Sequence, residues 1–153
     1  MLAVIRIRGT LNINPKIKKT LNLLMLHKVN HLVFVPENKI MKGMIEIVKD
    51  YVTFGEIDQT TCTSLLEKRG RILGNKKIAK EFFEKNKIKD FSELAKQVIL
   101  NNKKLKELGI KPVFRLTPPS KGFERGGIKR AFIIGGVLGN RKADINKLIA
   151  KMI

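Results

Sequence analysis

Residues 2–8 read LAVIRIR, and the alternation in this stretch decides how the N-terminal part of the chain is built. A strand points successive side chains to opposite faces. Ala3, Ile5 and Ile7 therefore share one face, and Leu2 and Val4 share the other with Arg6 and Arg8. The purely apolar odd positions predict the core side, and Arg8-Gly9 ends the strand. Working outward, Asn14-Pro15 supplies an N-cap followed by proline at the first helical position. Ile17, Leu21 and Leu24 follow at helical spacing, with Lys16, Lys18 and Lys19 off that face, which predicts a helix over residues 15–26. HLVFV at 31–35 predicts a short strand stopped by Pro36. Ile40, Met44 and Val48, with Met41 and Ile45 beside them, predict a second amphipathic helix running to Asp50. Tyr51 to Phe54 predicts a third strand that turns at Gly55. The expected fold of residues 1–59 is α+β: a small three-stranded sheet with two helices on one face.

The remainder has a different texture. Between Thr60 and Gly109 no strand pattern emerges. One helix is expected at Ser64 to Arg69, closed by Gly70, and another around Ala79, Phe82 and Phe83. A third is expected where Asp90 and Glu93 have capping-box spacing before Leu94, Val98 and Ile99. Residues 60–109 are thus read as a helical insert with a thin core. Residues 110–153 supply a strand at Val113 to Leu116, halted by Pro118-Pro119, then a Gly-rich basic arm. A C-terminal helix with Ile145, Leu148, Ile149 and Met152 on one face completes the fold.

Composition narrows the function. The chain has 153 residues, 32 Lys and Arg against 13 Asp and Glu, a net charge of +19 and a pI near 10.3. With 43% hydrophobic residues it can build a core, so it is not a disordered tail. A globule this basic repels itself unless an anionic partner neutralises it, which disfavours a free-standing metabolic enzyme. An A/T-rich coding bias would raise Lys (24), Ile (19) and Asn (11) together, but it would favour Glu equally, and Glu numbers only 9. Cys62 stands alone, which excludes an intramolecular disulfide and a Cys-based zinc site. No signal-like segment or apolar run of membrane-spanning length is present, so a soluble intracellular protein is expected.

The arm carries the clearest signal for a partner. Between Arg115 and Lys142 lie seven basic residues and one acid, Glu124, together with six glycines. Arg115, Lys121, Arg125, Lys129 and Arg130 supply cations at short spacing, and Phe123 offers a stacking face. Gly122, Gly126 and Gly127 would let backbone approach phosphate. Cations, glycine and an aromatic without a fixed helix suit irregular folded RNA better than the regular groove of duplex DNA. Arg6 and Arg8, on one face of the first strand, are a second candidate pair. Other features are weaker. IIGGVLG at 133–139 lacks the G-x-G-x-x-G spacing of a dinucleotide turn. His27 and His31 are four apart, but the helix is expected to end between them and no third ligand is near, so a place near the helix C-terminus or at an RNA surface is expected rather than a metal site. Glu46, Asp50, Glu56 and Asp58 fall on a helix surface and a turn. Cys62 lies near a helix start, which could lower a thiol pKa, but no histidine partners it.

Longer motifs carry a family resemblance. AVIRIRGTLNINPKIKKTLNLLMLHKVNHLVFVP, KGMIEIVKDYVTFGEID, SLLEKRGRI, VFRLTPPSKGFERGGIKR and GGVLGNRKADINKLIAKM together cover almost the whole chain. The sequence resembles the L-thirty family of large-subunit ribosomal proteins, called L-seven in eukaryotes, in its long archaeal form. The resemblance implies a trimmed ferredoxin-like core and assembly into the large ribosomal subunit through large-subunit rRNA, beside neighbouring ribosomal proteins. It implies a cytoplasmic, ribosome-associated protein with no catalytic residue, cofactor, metal, membrane or small-molecule substrate. The motifs assign RNA contact to Arg6 and Arg8 in IRIRG, Arg69 and Arg71 in KRGR, Lys121, Arg125, Lys129 and Arg130 in the arm, and Arg141 in GNR. Two other classes remain at this point. A general DNA or chromatin protein would bind duplex DNA as well as RNA. An RNA-processing enzyme would need a convergent acidic or histidine-containing cleft.

Overall fold

A computed structural model of the chain describes residues 1–72, 74–79, 82, 83, 88, 90–100 and 105–153. The first half follows the expected order: β1 (Leu2–Arg6), α1 (Pro15–Leu23), β2 (His31–Val35), α2 (Lys39–Val48) and β3 (Val52–Glu56). β1 is central and antiparallel to both β2 and β3, with Val4 opposite Val33 on one side and Phe54 on the other. Helices α1 and α2 share one face of the sheet, as the sequence pattern predicts.

Local chemistry sets the element ends. Asn14 caps α1, its Oδ1 accepting the Lys16 N–H at 2.9 Å, and Pro15 occupies the first turn, where no N–H is needed. The helix stops at Leu23, short of the expected residue 26, because Met25 takes a left-handed backbone with φ of 59°. β3 does not turn at Gly55 but runs through it to Glu56. The glycine is required there: a Cβ would lie 2.1 Å from the Lys142 carbonyl oxygen and 2.9 Å from Ile145 Cβ.

The second half adds α3 (Gln59–Arg69), α4 (Phe91–Leu100), β4 (Val113–Arg115), β5 (Gly139–Asn140) and α5 (Ile145–Met152), with short 3-10 turns at Phe132–Ile134 and Lys142–Asp144. Asp90 and Glu93 open α4 as their spacing suggests, the Leu94 N–H bonding the Asp90 carbonyl. Of the helix expected around Ala79, Phe82 and Phe83, these three residues are described, with Phe82 and Phe83 helical, while residues 80, 81 and 84–87 lie outside the described residues. β4 pairs with β2, and β5 pairs in parallel with β3, widening the sheet to the order β4-β2-β1-β3-β5. No apolar alternation in the sequence marked the two-residue β5.

Two cores result, one on each face. Leu2, Val4, Val33, Val35 and Val52 pack with Leu21, Leu24, Ile45 and Val48 of α1 and α2. Ala3, Ile5, Ile7, Leu32 and Phe114 pack with Leu65, Leu66, Leu94, Val98, Ile145 and Ile149 of α3, α4 and α5. The apolar side of the insert therefore closes the second face of the sheet, a more substantial role than a thin separate core. Both faces of β1 are covered, so its even positions point inward as fully as its odd ones. Arg6 occupies an even position.

Candidate nucleic-acid interface

Covering both faces of β1 removes Arg6 from the surface. It is 2% exposed, and its guanidinium is spent on backbone carbonyls. Nη1 donates to the Leu26 and His27 oxygens at 2.8 and 3.0 Å, and Nε donates to the Arg8 oxygen at 2.9 Å. Burial lowers the pKa of this group from its ordinary value. The side chain locks the α1–β2 connection onto the end of β1. Its expected direct contact with RNA is withdrawn on geometric grounds: it positions backbone and does not reach solvent.

Arg141 is the second buried arginine, at 3% exposed. It donates from Nη1 and Nη2 to the two carboxylate oxygens of Glu124 at 2.5 and 2.7 Å. Its Nε donates to Thr53 Oγ1 at 2.9 Å, Nη2 also donates to the Val137 carbonyl, and the guanidinium lies 4.5 Å over the Phe132 ring. Both fork edges and one face of the guanidinium are taken by protein. Its assignment as an RNA contact is corrected for the same reason as that of Arg6. The Arg141 hydrogen bonds hold the Glu124 carboxyl below its ordinary value.

This pair explains the shape of the basic segment. Residues 117–142 are not an extended arm. They fold back on themselves and onto β3: Gly126 N–H bonds Gly135 O at 3.0 Å, Val137 N–H bonds Arg130 O at 3.0 Å, and Arg141 N–H bonds Phe54 O at 2.8 Å. Two glycines permit the close crossings. A Cβ on Gly126 would fall 2.5 Å from Gly135 O, and one on Gly136 would fall 2.2 Å from Arg130 O. Gly126, expected to admit phosphate, admits the protein's own backbone. Phe123 is half-buried and packs against the larger core, so it is not a free stacking platform.

The remaining candidates divide by how firmly they are held. Arg8 is half-buried, donates to the Asp50 carbonyl at 3.2 Å and lies 4.8 Å over the Tyr51 ring. Arg69 donates to Ile153 O at 2.9 Å and Thr117 Oγ1 at 3.3 Å, tying the end of α3 to the C-terminal helix. Arg71 is half-buried, with Nη1 enclosed and without a hydrogen-bond partner among the described residues. Arg115, Lys121, Arg125, Lys129 and Arg130 are exposed, and none of them forms an ion pair among the described residues.

These cations do not form one patch. The folded loop lies along the β3–β5 edge, where Lys129 and Arg8 line one groove of about 440 Å³ together with Lys49 and the acidic Glu46 and Asp50. Arg115 lies on β4, at the opposite edge. Beside it stand His27, Lys28 and His31 of the HKVNH run between α1 and β2, whose two histidines the sequence assigns to a helix end or an RNA surface rather than to a metal. The acidic candidates stay at the surface: Glu46 pairs with Lys49, and Asp50 is exposed. Cys62 is enclosed in the larger core, and burial pushes its thiol up to about 12, the reverse of activation.

Residues 2–52 match the family model described as ribosomal protein L30p/L7e. Over 151 residues the chain is 49% identical to the large ribosomal subunit protein uL30 of Methanococcus vannielii, an alignment covering 99% of this chain and 98% of that protein. It is 46% identical over 153 residues to the uL30 of Nanoarchaeum equitans, covering 100% and 99% of the two chains. With the uL30 of Methanothrix thermoacetophila it shares 48% over 153 residues, at 99% of each.

Proposed function

The chain belongs to the ribosomal protein L30p/L7e family, and on that premise we propose that it is a structural component of the large ribosomal subunit that seats on large-subunit rRNA. The observation that carries the RNA-binding surface is the arrangement of charge in the 117–142 loop. Its one acid, Glu124, is consumed by buried Arg141, while Lys121, Arg125, Lys129 and Arg130 stay exposed and form no ion pair among the described residues. The fold thus presents unpaired cations on a braced loop.

Such a surface binds RNA by phosphate neutralisation and counterion release. An irregular platform of this kind reads the shape and 2′-hydroxyls of folded RNA, not base sequence along a regular groove. Arg8, stacked on Tyr51, and Lys129 would face the same RNA segment across their shared groove. Arg69 and Arg71 flank a separate surface at the end of α3. The role is architectural, with no enzymatic step, no cofactor and no small-molecule substrate. rRNA and neighbouring ribosomal proteins are the partners, and the protein resides on cytoplasmic ribosomes.

Co-sedimentation tests this directly. The protein is expected to travel with the large subunit through a gradient at moderate salt and to leave it at high salt. Competition between large-subunit rRNA and duplex DNA separates this role from a general DNA-binding one. Equal competition by the two would contradict it.

A further inference from the structure

One end of the sheet holds a row of basic side chains. His31 of β2 stands opposite Arg115 of β4. Continuing the β1–β2 register one step past Ile5 and Leu32 brings Arg6 alongside His31. Opposed residues on neighbouring strands point to the same face, here the one shared with Val33 and Val4. The α1–β2 connection adds exposed His27 and Lys28, and it is built, not loose. Arg6 holds the Leu26 and His27 carbonyls, and Asn30 N–H bonds the Arg6 carbonyl at 2.8 Å. Lys28 N–H reaches His31 Nδ1 at a long 3.4 Å.

Among the described residues no carboxylate pairs with this row. Like charges directly opposed on adjacent strands destabilise a sheet. The charged groups acting on His31 are Arg115 from β4, His27 and Lys28 from the connection, and Arg6 from β1, and all are basic. Together with burial they lower its pKa. At the other edge of the sheet the buried Arg141 is given a carboxylate; here none is supplied. A fold that retains such a cluster leaves the counter-charge to come from outside.

We propose that Arg115, Lys28, His27 and His31 form a phosphate site, distinct from the 117–142 loop, that binds an RNA backbone phosphate with uptake of one solvent proton by His31. The inference rests on the rRNA-binding reading above. In the unbound protein burial, and after it the neighbouring cations, disfavour the charged form of His31. A phosphate among them reverses the local field, and the proton goes to Nδ1, whose bond from Lys28 is long and easily given up. The imidazolium then faces the anion with Arg115 and Lys28. Arg6 does not touch the phosphate; it positions the connection and adds to the field.

The experiment measures binding of the full-length chain to large-subunit rRNA transcripts from pH 5.5 to 8 at fixed ionic strength. Wild type is compared with His31→Gln, His27→Gln and Arg115→Gln, and thermal melts confirm that each variant is folded. Wild-type affinity is expected to rise as pH falls, by no more than about tenfold per pH unit for one proton. His31→Gln is expected to flatten that rise and His27→Gln to keep it. Arg115→Gln is expected to bind several-fold more weakly at every pH. A wild type that binds rRNA with no pH dependence beyond that of His31→Gln overturns the site. Variants that bind rRNA normally but lose contact with an acidic ribosomal protein overturn it as well, assigning the row to protein. A wild type that does not bind rRNA at all removes the underlying reading itself.

Discussion

The two buried arginines sit at different places on one sheet, Arg6 at the end of the central strand β1 and Arg141 beside the edge strand β5, and they are held in opposite ways. Arg141 is closed in by a carboxylate, a hydroxyl, a carbonyl and an aromatic ring. Its charge is cancelled, and what it provides is the shape of the loop. Arg6 is held by three carbonyl oxygens. These satisfy its donors but leave its net charge standing beside His31 and Arg115. The difference teaches how so basic a chain folds: charge is neutralised where a loop must be fixed and left open where a partner is to bind.

The strongest way to break this contrast is to remove the carboxylate. Glu124→Gln leaves the Arg141 cation buried without its counter-ion. It should destabilise the protein by about 3 kcal/mol, the lower end for a broken buried pair because the Glu124 side chain remains a third exposed. Denaturant unfolding measures the loss, and limited proteolysis should then cut within 117–142, where the wild type is expected to resist. A variant as stable and as resistant as wild type would show that the pair does not brace the loop.

Arg6→Met keeps the aliphatic stem and removes the donors. It should cost about 2 kcal/mol, since the Leu26 and His27 carbonyls lose a partner, one of them in a buried bond. Cleavage should shift to the α1–β2 connection while the 117–142 loop stays intact. The two substitutions thus open different parts of the fold, the α1–β2 connection and the 117–142 loop, and a common site of cleavage would contradict the division.

Acid sharpens the comparison with a smaller effect. The folded protein lowers the Glu124 pKa below its ordinary 4.5. A carboxylate of this kind contributes stability above its unfolded value and loses it as pH falls through its folded value. The stability gap between wild type and Glu124→Gln should therefore narrow below about pH 4.5, whereas the cost of Arg6→Met, which involves no carboxylate, should not follow that curve.

Much of the fold was legible because apolar periodicity is a local signal. LAVIRIR, the Asn14-Pro15 start and HLVFV each specify an element from a few neighbouring residues. What the pattern did not carry was the covering of the second face, which depends on α3, α4 and α5 meeting β1 from far along the chain. That is why Arg6, at an inward even position, read as a surface cation. Arg141 was misread for a related reason. Its partner, Glu124, lies 17 residues away, and only its being the one acid among seven cations hinted at a fixed pairing. Gly126 read as room for phosphate because sequence shows the missing side chain and not the Gly135 carbonyl that lies next to it. The exposure of Lys121, Arg125, Lys129 and Arg130 was legible because charge in a loop with one acid needs little long-range information.

The central claim is that exposed, unpaired cations on a braced loop hold rRNA. Salt titration of large-subunit rRNA binding tests it most directly, with wild type against the variant carrying Lys121→Gln, Arg125→Gln, Lys129→Gln and Arg130→Gln. Each lost phosphate contact reduces the slope of log affinity against log salt by roughly 0.7 to 0.9, so the fourfold variant should lose about 3 from the slope and bind far more weakly at low salt. An unchanged slope in a variant that melts like wild type would contradict the claim.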